Sequence, residues 1–136
     1  MEAQRGTKAL NVLLWVAQTL VATMFCLSGF YKLFTPIPEL SAMMPWTGQV
    51  PQTFVRFIGI VDTAGGLGVL LPSLTRVAPG LTLIAAGCAT VLQLLAIAFH
   101  TSRGEAAVTP LNFVLLALIL FILWGRWKKV PILARR

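Results

Sequence analysis

The fold of this chain is decided by the stretch Phe54-Val-Arg-Phe-Ile-Gly-Ile-Val-Asp-Thr-Ala-Gly-Gly-Leu-Gly-Val-Leu-Leu71. The stretch is apolar and approaches the length of a membrane-spanning helix, yet it contains the carboxylate of Asp62. A charged side chain at the centre of a lipid-exposed helix costs about 2.5–3.5 kcal/mol on insertion scales. Asp62 therefore requires a partner, an aqueous cavity or a proton, and it is the centre of our candidate site.

The composition of the whole chain indicates a membrane protein. Of its 136 residues, 57% are hydrophobic and 11% are charged, whereas soluble domains carry about 25% charged residues. The length fits a single domain, residues 1–136, most of which must lie in lipid. The net charge of +7 is located at the chain ends and in loops, with no basic stripe interleaved with exposed aromatic residues. Nucleic acid is therefore not an expected partner.

Four apolar segments are predicted to cross the bilayer as helices, at about residues 9–33, 54–71, 77–100 and 110–127. Each approaches or exceeds the ~20 residues that span a ~30 Å hydrocarbon core. Prolines interrupt the chain between them, including Pro72 and Pro79 in the second connector and Pro110 at the start of the fourth helix. The first connector, residues 35–53, is apolar and predicts a short interfacial helix or a re-entrant segment. The sequence thus predicts an all-α, four-helix integral membrane bundle.

The distribution of basic residues predicts the orientation of this bundle. Eight of the 11 basic residues belong to one end and three to the other. The larger group is Arg5, Lys8, Arg76, Arg126, Lys128, Lys129, Arg135 and Arg136, and the smaller is Lys32, Arg56 and Arg103. The positive-inside rule then places both termini in the cytoplasm of what we expect to be a bacterial inner-membrane protein. The first segment exceeds the h-region of a signal peptide and no small-x-small cleavage site follows it, so we expect a permanent helix.

Cysteine and histidine usage gives no sign of a metal or redox centre. Cys26 and Cys88 lie within spans and form no C-x-x-C motif, so we interpret them as small apolar residues. His100 is the only histidine, and no cluster has metal-ligand spacing. A haem needs an axial ligand and usually two, so a membrane cytochrome is not expected from a chain with a single histidine. We therefore predict no metal, no evident cofactor, no catalytic residue and no catalytic activity from the chain by itself.

Small and polar residues recur on one face of each of the first three spans. These faces carry Gln18, Phe25 and Lys32 in the first span, Gly59, Asp62, Gly65, Gly66 and Val69 in the second, and Ala86, Ala89, Gln93, Ala96 and His100 in the third. Small residues allow helices to approach closely in membranes, and polar residues bond between helices. We therefore expect these faces to meet, with Gly59, Gly65, Gly66 and Gly68 as packing residues. The fourth span offers only Asn112 and is predicted to be more lipid-exposed.

The depth of the polar residues predicts a common site. At a rise of about 1.5 Å per residue, Asp62 and Gln93 lie near one level, with His100 above them. The flexible stem of Lys32 allows its ammonium to reach the same region. One interpretation is a cavity between the first three spans, open toward the outer leaflet and lined by these four residues. Such a cavity would bind a quinone or another isoprenoid lipid by its headgroup.

A structural interpretation of the same residues remains open. Asp62 would then be ionised and paired with Lys32, or with Arg56 as the alternative partner, and would lock the second span to the first. Arg103 and Glu105 would form a solvated loop pair of small energetic weight.

The sequence also resembles the DoxX-like family. The resemblance lies in Gly29-Phe-Tyr-Lys32, Gly59-Ile-Val-Asp-Thr-Ala-Gly-Gly-Leu-Gly-Val-Leu-Leu-Pro72, His100-Thr-Ser-Arg-Gly-Glu105 and Gly125-Arg126, and it covers nearly the whole chain. It implies a four-helix membrane bundle. Members have been linked to quinone-connected sulfur oxidation, to oxidative-stress complexes and, in animal relatives, to receptor assembly. Many relatives have Glu where this chain has Asp62.

Three classes of function remain open. The chain is an accessory or assembly subunit of a redox-linked membrane complex, a quinone-binding or isoprenoid-lipid-binding protein, or the membrane subunit of a quinone-linked oxidoreductase. Small size, few loops and the lack of a nucleophile–base pair favour the first class. Quinone is the one cofactor considered. The expected partners are the lipid bilayer, other membrane or peripheral proteins, and a second copy of the chain.

Overall fold

The computed structural model describes residues 2–105, 107 and 109–135, and side chains from residue 5 onward within those ranges. The helices are α1 (Glu2–Phe34), α2 (Ile37–Met43), α3 (Gln52–Thr75), α4 (Leu81–Ser102) and α5 (Thr109–Trp124). A 3₁₀ turn at Pro45–Gly48 follows α2, and a π-helical turn at Gly125–Lys129 continues α5. The described residues are 84% helical and contain no strand, which confirms the predicted all-α fold.

Four of these helices are long and apolar enough to cross a membrane. They are the segments Arg5–Phe34, Gln52–Thr75, Leu81–Ser102 and Thr109–Lys129. α1 packs on α3, α3 on α4, α4 on α5, and α5 on α1, so the four helices close into a bundle. The core between them consists of Ala17, Val21, Phe25, Val69, Ala86, Ala89, Leu115, Ile119 and Ile122. The protein is therefore a multi-pass membrane protein with its core at the centre of the bundle.

The prediction that the fourth span is the more lipid-exposed one is wrong. In the most apolar 18-residue stretch of the fourth span, 33% of the residues are buried inside the bundle, compared with 22% in the corresponding stretch of α4. Leu115, Ile119 and Ile122 of α5 all lie in the core. The sequence could not show this, because a Leu or Ile that packs in the bundle looks the same as one that faces lipid tails.

The closest helix contact joins α1 and α3 and depends on glycines. A Cβ atom on Gly66 would lie 2.7 Å from Cys26 Sγ and 2.9 Å from the carbonyl oxygen of Ala22. A Cβ atom on Gly29 would lie 2.7 Å from the carbonyl oxygen of Gly59. These distances leave no room for a side chain, so the two backbones approach as closely as glycine allows.

The other predicted packing glycines also lie at helix contacts. A Cβ on Gly59 would lie 3.0 Å from the Cβ of Lys32, and one on Gly65 would lie 3.3 Å from the ring of Phe25. Gly68 instead faces α4, where an added Cβ would lie 2.8 Å from that of Ala85. α3 thus uses glycines on two faces, one against α1 and one against α4.

Two predicted boundaries around the second connector are wrong. α3 does not end before Pro72 but continues to Thr75, and α4 begins at Leu81 and not at Val77. A proline removes only its own N–H donor and fits helical φ, so one further turn is tolerated near a helix end. The chain leaves α3 at Arg76, which has φ 59°, and Ala78 has φ 48°. These left-handed residues make the turn that delays the start of α4.

The first connector folds over one end of the bundle and contains a short helix, α2. Leu40 and Thr47 are fully buried, and Thr47 Oγ1 donates a 2.7 Å hydrogen bond to the carbonyl of Met44. The ring of Trp46 packs edge-on against Phe99 of α4. We call this end the connector end. The opposite end, which carries Arg5, Lys8, Arg76, Lys128, Lys129 and Arg135, is called the basic end, and Arg136 lies outside the described residues.

We expect the basic end to lie in the cytoplasm, because eight basic residues were assigned to it and three to the other end. A fluorescent protein fused after residue 136 should be fluorescent, and alkaline phosphatase fused there should be inactive. Alkaline phosphatase inserted in the exposed Gly48–Gln49 turn should be active. The reverse pattern would contradict the predicted orientation.

Gly66→Ala should destabilise the bundle, because the new methyl group would collide with Cys26 and with the backbone of α1. Overpacking of this kind costs about 1–3 kcal/mol. Gly87→Ala in α4 is the matched control, since a Cβ there meets nothing within 4 Å and should raise helix stability slightly. Thermal unfolding in detergent compares the two. Equal melting temperatures would show that the α1–α3 contact is not close-packed.

Candidate functional site

A cavity of about 760 Å³ lies at the connector end, between α1, α3, α4 and α5 and beneath the connector. Its walls are mostly Leu, Ile, Val, Met, Phe and Trp side chains. The polar side chains that line it are Ser28, Tyr31, Lys32, Asp62, Gln93, His100 and Asn112. All four residues proposed from the sequence as a ligand site therefore line one cavity. α5 also contributes to the wall, through Leu111, Asn112 and Leu115, which the sequence analysis did not expect.

Asp62 is paired with Lys32 across the α1–α3 contact. Lys32 Nζ lies 2.6 Å from Asp62 Oδ2, and the two side chains are 11% and 8% exposed. Ser28 Oγ donates a second hydrogen bond of 3.1 Å to the same oxygen. Lys32 Nζ also lies 5.6 Å from the centre of the Trp46 ring. The ion pair joins α1 to α3 at the wall of the cavity, and the two charges compensate each other.

Arg56 does not contact Asp62. Its Nη1 donates hydrogen bonds of 2.7 and 2.9 Å to the carbonyls of Lys32 and Thr35. These carbonyls belong to the last turn of α1 and the residue after it, where backbone acceptors lack partners within the helix. Arg56 therefore caps α1, and the structure selects Lys32 as the partner of Asp62 from the two alternatives.

The side-chain amide of Gln93 lines this site without a hydrogen bond to the described residues. Its side chain is 6% exposed, lines the cavity and forms no hydrogen bond with any described residue. Its Oε1 atom is fully enclosed without a partner. A buried amide without hydrogen bonds is unfavourable and uncommon in folded proteins. Because Gln93 lines the cavity, rotation of its amide would turn either Oε1 or Nε2 toward a molecule there.

His100 lies at the mouth of the cavity beside an ion pair. Its Nδ1 is 2.8 Å from Glu105 Oε2, while Arg103 Nε donates a 2.6 Å hydrogen bond to Glu105 Oε1. Arg103 also contacts the amide of Gln49 in the connector. The hydrogen bonds from His100 and Arg103 hold the pKa of Glu105 below its usual value. Glu105 thereby fixes the ring of His100 by one nitrogen and leaves the other unengaged by that carboxylate.

A second polar group, which the sequence analysis missed, lies toward the basic end. Arg126 was treated as a topology residue, but it is only 3% exposed. Its Nε donates a 2.7 Å hydrogen bond to Gln18 Oε1, and its Nη1 donates one of 2.7 Å to Asn11 Oδ1. Gln18 Nε2 in turn donates to the carbonyl of Val69 and to Ser73 Oγ. The sequence signals for this group were Gln18, an amide in the middle of an apolar run, and the Gly125-Arg126 pair of the family resemblance.

No metal-binding cluster is evident in the part of the chain that the structure describes. No group of three or more His, Cys, Asp and Glu side chains there is placed to hold an ion. Cys26 and Cys88 are free thiols.

Asp62→Asn and Lys32→Met should each destabilise the protein by about 3–5 kcal/mol, because each leaves a buried charge without its partner. The double variant should lose less than the sum of the two losses. Ser28→Ala is the control, since it removes only a secondary hydrogen bond and should cost about 1 kcal/mol. Unfolding in detergent by heat or denaturant measures all four proteins. Strictly additive losses would show that the two residues are not coupled.

Comparison with known protein families agrees with this architecture. The profile of the DoxX-like family matches residues 16–122, which include all of the polar side chains that line the cavity. No curated protein and no solved structure matched the chain. Because the family profile covers most of the sequence, this chain belongs to the DoxX-like family.

Proposed function

We propose that the protein binds a neutral, isoprenoid-type amphiphile in the connector-end cavity, with a quinone as the favoured ligand. The observation that carries this proposal is the buried amide of Gln93, which has no hydrogen-bond partner among the described residues and borders a cavity of about 760 Å³. Sites for small molecules are clefts of roughly 300–1,000 Å³ with mainly apolar walls and a few polar groups. This cavity has that size and that lining.

The charges of the cavity support a neutral headgroup. Lys32 is compensated by Asp62 at 2.6 Å, and His100 lies 2.8 Å from the carboxylate of Glu105. An anionic headgroup would compete with Asp62 for Lys32, and a cationic one would meet the ammonium of Lys32. A quinone carbonyl is uncharged and accepts hydrogen bonds, which Gln93, Lys32 and His100 can donate.

The apolar wall supports an attached hydrocarbon tail. Leu27, Leu95 and Leu111 line the cavity and are also exposed on the lipid-facing surface of the bundle. A tail could therefore pass between helices into the bilayer while its headgroup stays near Gln93. A water-soluble ligand would not require an apolar path from the cavity to the bilayer.

We further propose that the chain acts as an accessory subunit of a redox-linked membrane complex. Quinone chemistry transfers electrons, and a partner subunit would supply the redox group while this chain holds and orients the quinone. Membership of the DoxX-like family supports a role of this kind, because members are linked to quinone-connected oxidation. The chain would then contribute the side chains that bind and orient the quinone, but not electron transfer.

Gln93→Leu should abolish quinone binding without lowering stability, because the amide gives up no protein hydrogen bond. The parent, purified in mild detergent and stripped of lipid, would be titrated with short-chain ubiquinone and menaquinone analogues while the fluorescence of Trp46 and the other tryptophans is recorded. His100→Ala should weaken binding roughly tenfold, as the loss of a hydrogen bond to a ligand does. Thr90→Val is the control: Thr90 bonds only within α4 and does not line the cavity.

Two results would contradict the quinone proposal. One is a folded, delipidated parent that binds neither analogue, and the other is unchanged affinity in both Gln93→Leu and His100→Ala. Either would leave the accessory-subunit role without a quinone. Proteins that co-purify with the parent in mild detergent would then be the evidence for that role.

A further inference from the structure

Arg126 is a buried cation whose hydrogen-bond partners among the described residues are all neutral. Its guanidinium donates to the side-chain oxygens of Gln18 and Asn11 and, at 3.0 Å, to the carbonyl of Val130. Its Nη2 atom is enclosed and has no hydrogen-bond partner among the described residues. A guanidinium has five N–H donors, so two of them remain unused here.

The charge of Arg126 is not compensated by the residues that the structure describes. Lys32 is paired with Asp62 and Arg103 with Glu105, but no described carboxylate contacts Arg126. An isolated charge inside a bundle is strongly unfavourable unless it is paired. Lys32 is a buried cation with a carboxylate partner, whereas Arg126 has no anionic partner among the described residues.

The side chains around Arg126 are of the types found at the headgroup level of a membrane. The guanidinium stacks 4.9 Å from the ring of Trp15, and Trp124 and Trp127 beside it are exposed. Tryptophan rings of this kind occupy the headgroup level at membrane interfaces. Lys128 and Lys129 follow directly and are exposed as well. The local field is positive and attracts anionic lipid.

We propose that Arg126 binds the phosphate of an anionic phospholipid at the basic end of the bundle. Two phosphate oxygens would accept from Nη1 and Nη2 in the planar, bidentate geometry that arginine favours. The phosphate would replace the Val130 carbonyl on Nη1 and supply the missing partner of Nη2. The lysines at positions 128 and 129 would remain in the headgroup layer.

The segment after Val130 is suited to make room for this phosphate. It is non-helical and mostly exposed. Two hydrogen bonds join it to Arg76, the residue after α3: one from Arg76 Nε to the carbonyl of Leu133 and one from the Arg135 amide to the carbonyl of Arg76. Segments with few buried contacts and exposed backbone hydrogen bonds open at low free-energy cost. Release of the Val130 carbonyl therefore does not require the bundle to unfold.

The test compares phospholipids of different charge. Delipidated protein in detergent would be mixed with phosphatidylglycerol, with phosphatidylcholine or with inorganic phosphate, and its melting temperature and retained lipid would be measured by thermal unfolding and native mass spectrometry. We expect phosphatidylglycerol to raise the melting temperature by several degrees over phosphatidylcholine. Arg126→Gln should bind phosphatidylglycerol roughly tenfold more weakly. Lys128→Gln is the control, because it removes one exposed charge from the same surface and should keep most of the effect.

Three results would overturn the proposal. They are equal retention of the two lipids by the parent, equal losses in Arg126→Gln and Lys128→Gln, and full stabilisation by inorganic phosphate alone, which would assign the site to a free anion. If Arg126→Gln does not fold, Arg126→Lys replaces it: this variant keeps the charge but not the bidentate fork. It should retain less phosphatidylglycerol than the parent, and unchanged retention would count against the site.

Discussion

The structure depends on the rule that a polar group inside a membrane bundle must find its partner within the protein or in a bound molecule. The Lys32–Asp62 pair meets this rule at the connector end and joins α1 to α3. Gln18 meets it toward the basic end by bonding to Val69 and Ser73 of the same α3 helix. Glycines such as Gly66 allow close contact between these two points. The polar bonds therefore fix the register of α1 on α3, which apolar packing alone would leave weakly determined.

The cavity follows from the same arrangement. Glycines bring the α1 and α3 backbones together, and the cavity lies beside this contact, with large apolar side chains from all four long helices in its wall. Trp46 of the connector also lines the cavity, and its ring packs against Phe99 of α4. Gln93 belongs to α4 and lines the cavity opposite the α1–α3 contact, without a hydrogen bond to the Lys32–Asp62 pair. Its amide therefore stays without a partner among the described residues.

The sequence predicted those features of the structure that require particular residue types. Four apolar segments predicted the bundle, and a lone acid in an apolar helix pointed to Asp62 and to Lys32 as a partner. Depth along ideal helices brought Gln93 and His100 to the same cavity, because helix rise is nearly constant. The sequence did not reveal the burial of α5, since lipid and core select the same apolar residues. It also did not reveal Arg126: a basic residue after a span is usually a topology signal, and only the fold shows that this one turns inward to Gln18.

The two ends of the bundle differ in how their buried charges are compensated, and this difference is the physical basis of the two ligand proposals. At the connector end every described cation near the cavity has a carboxylate or a set of backbone carbonyls, so an added charge would break an existing bond. A neutral molecule with hydrogen-bonding groups would gain the most binding free energy there, because it could bond to the amide of Gln93 without breaking an existing bond. At the basic end, the part of the chain that the structure describes offers Arg126 neutral acceptors and leaves its Nη2 without a hydrogen bond. An anion would gain the most binding free energy at that end. It would replace the neutral carbonyl of Val130 with a full negative charge, and charges attract strongly in a medium of low dielectric constant.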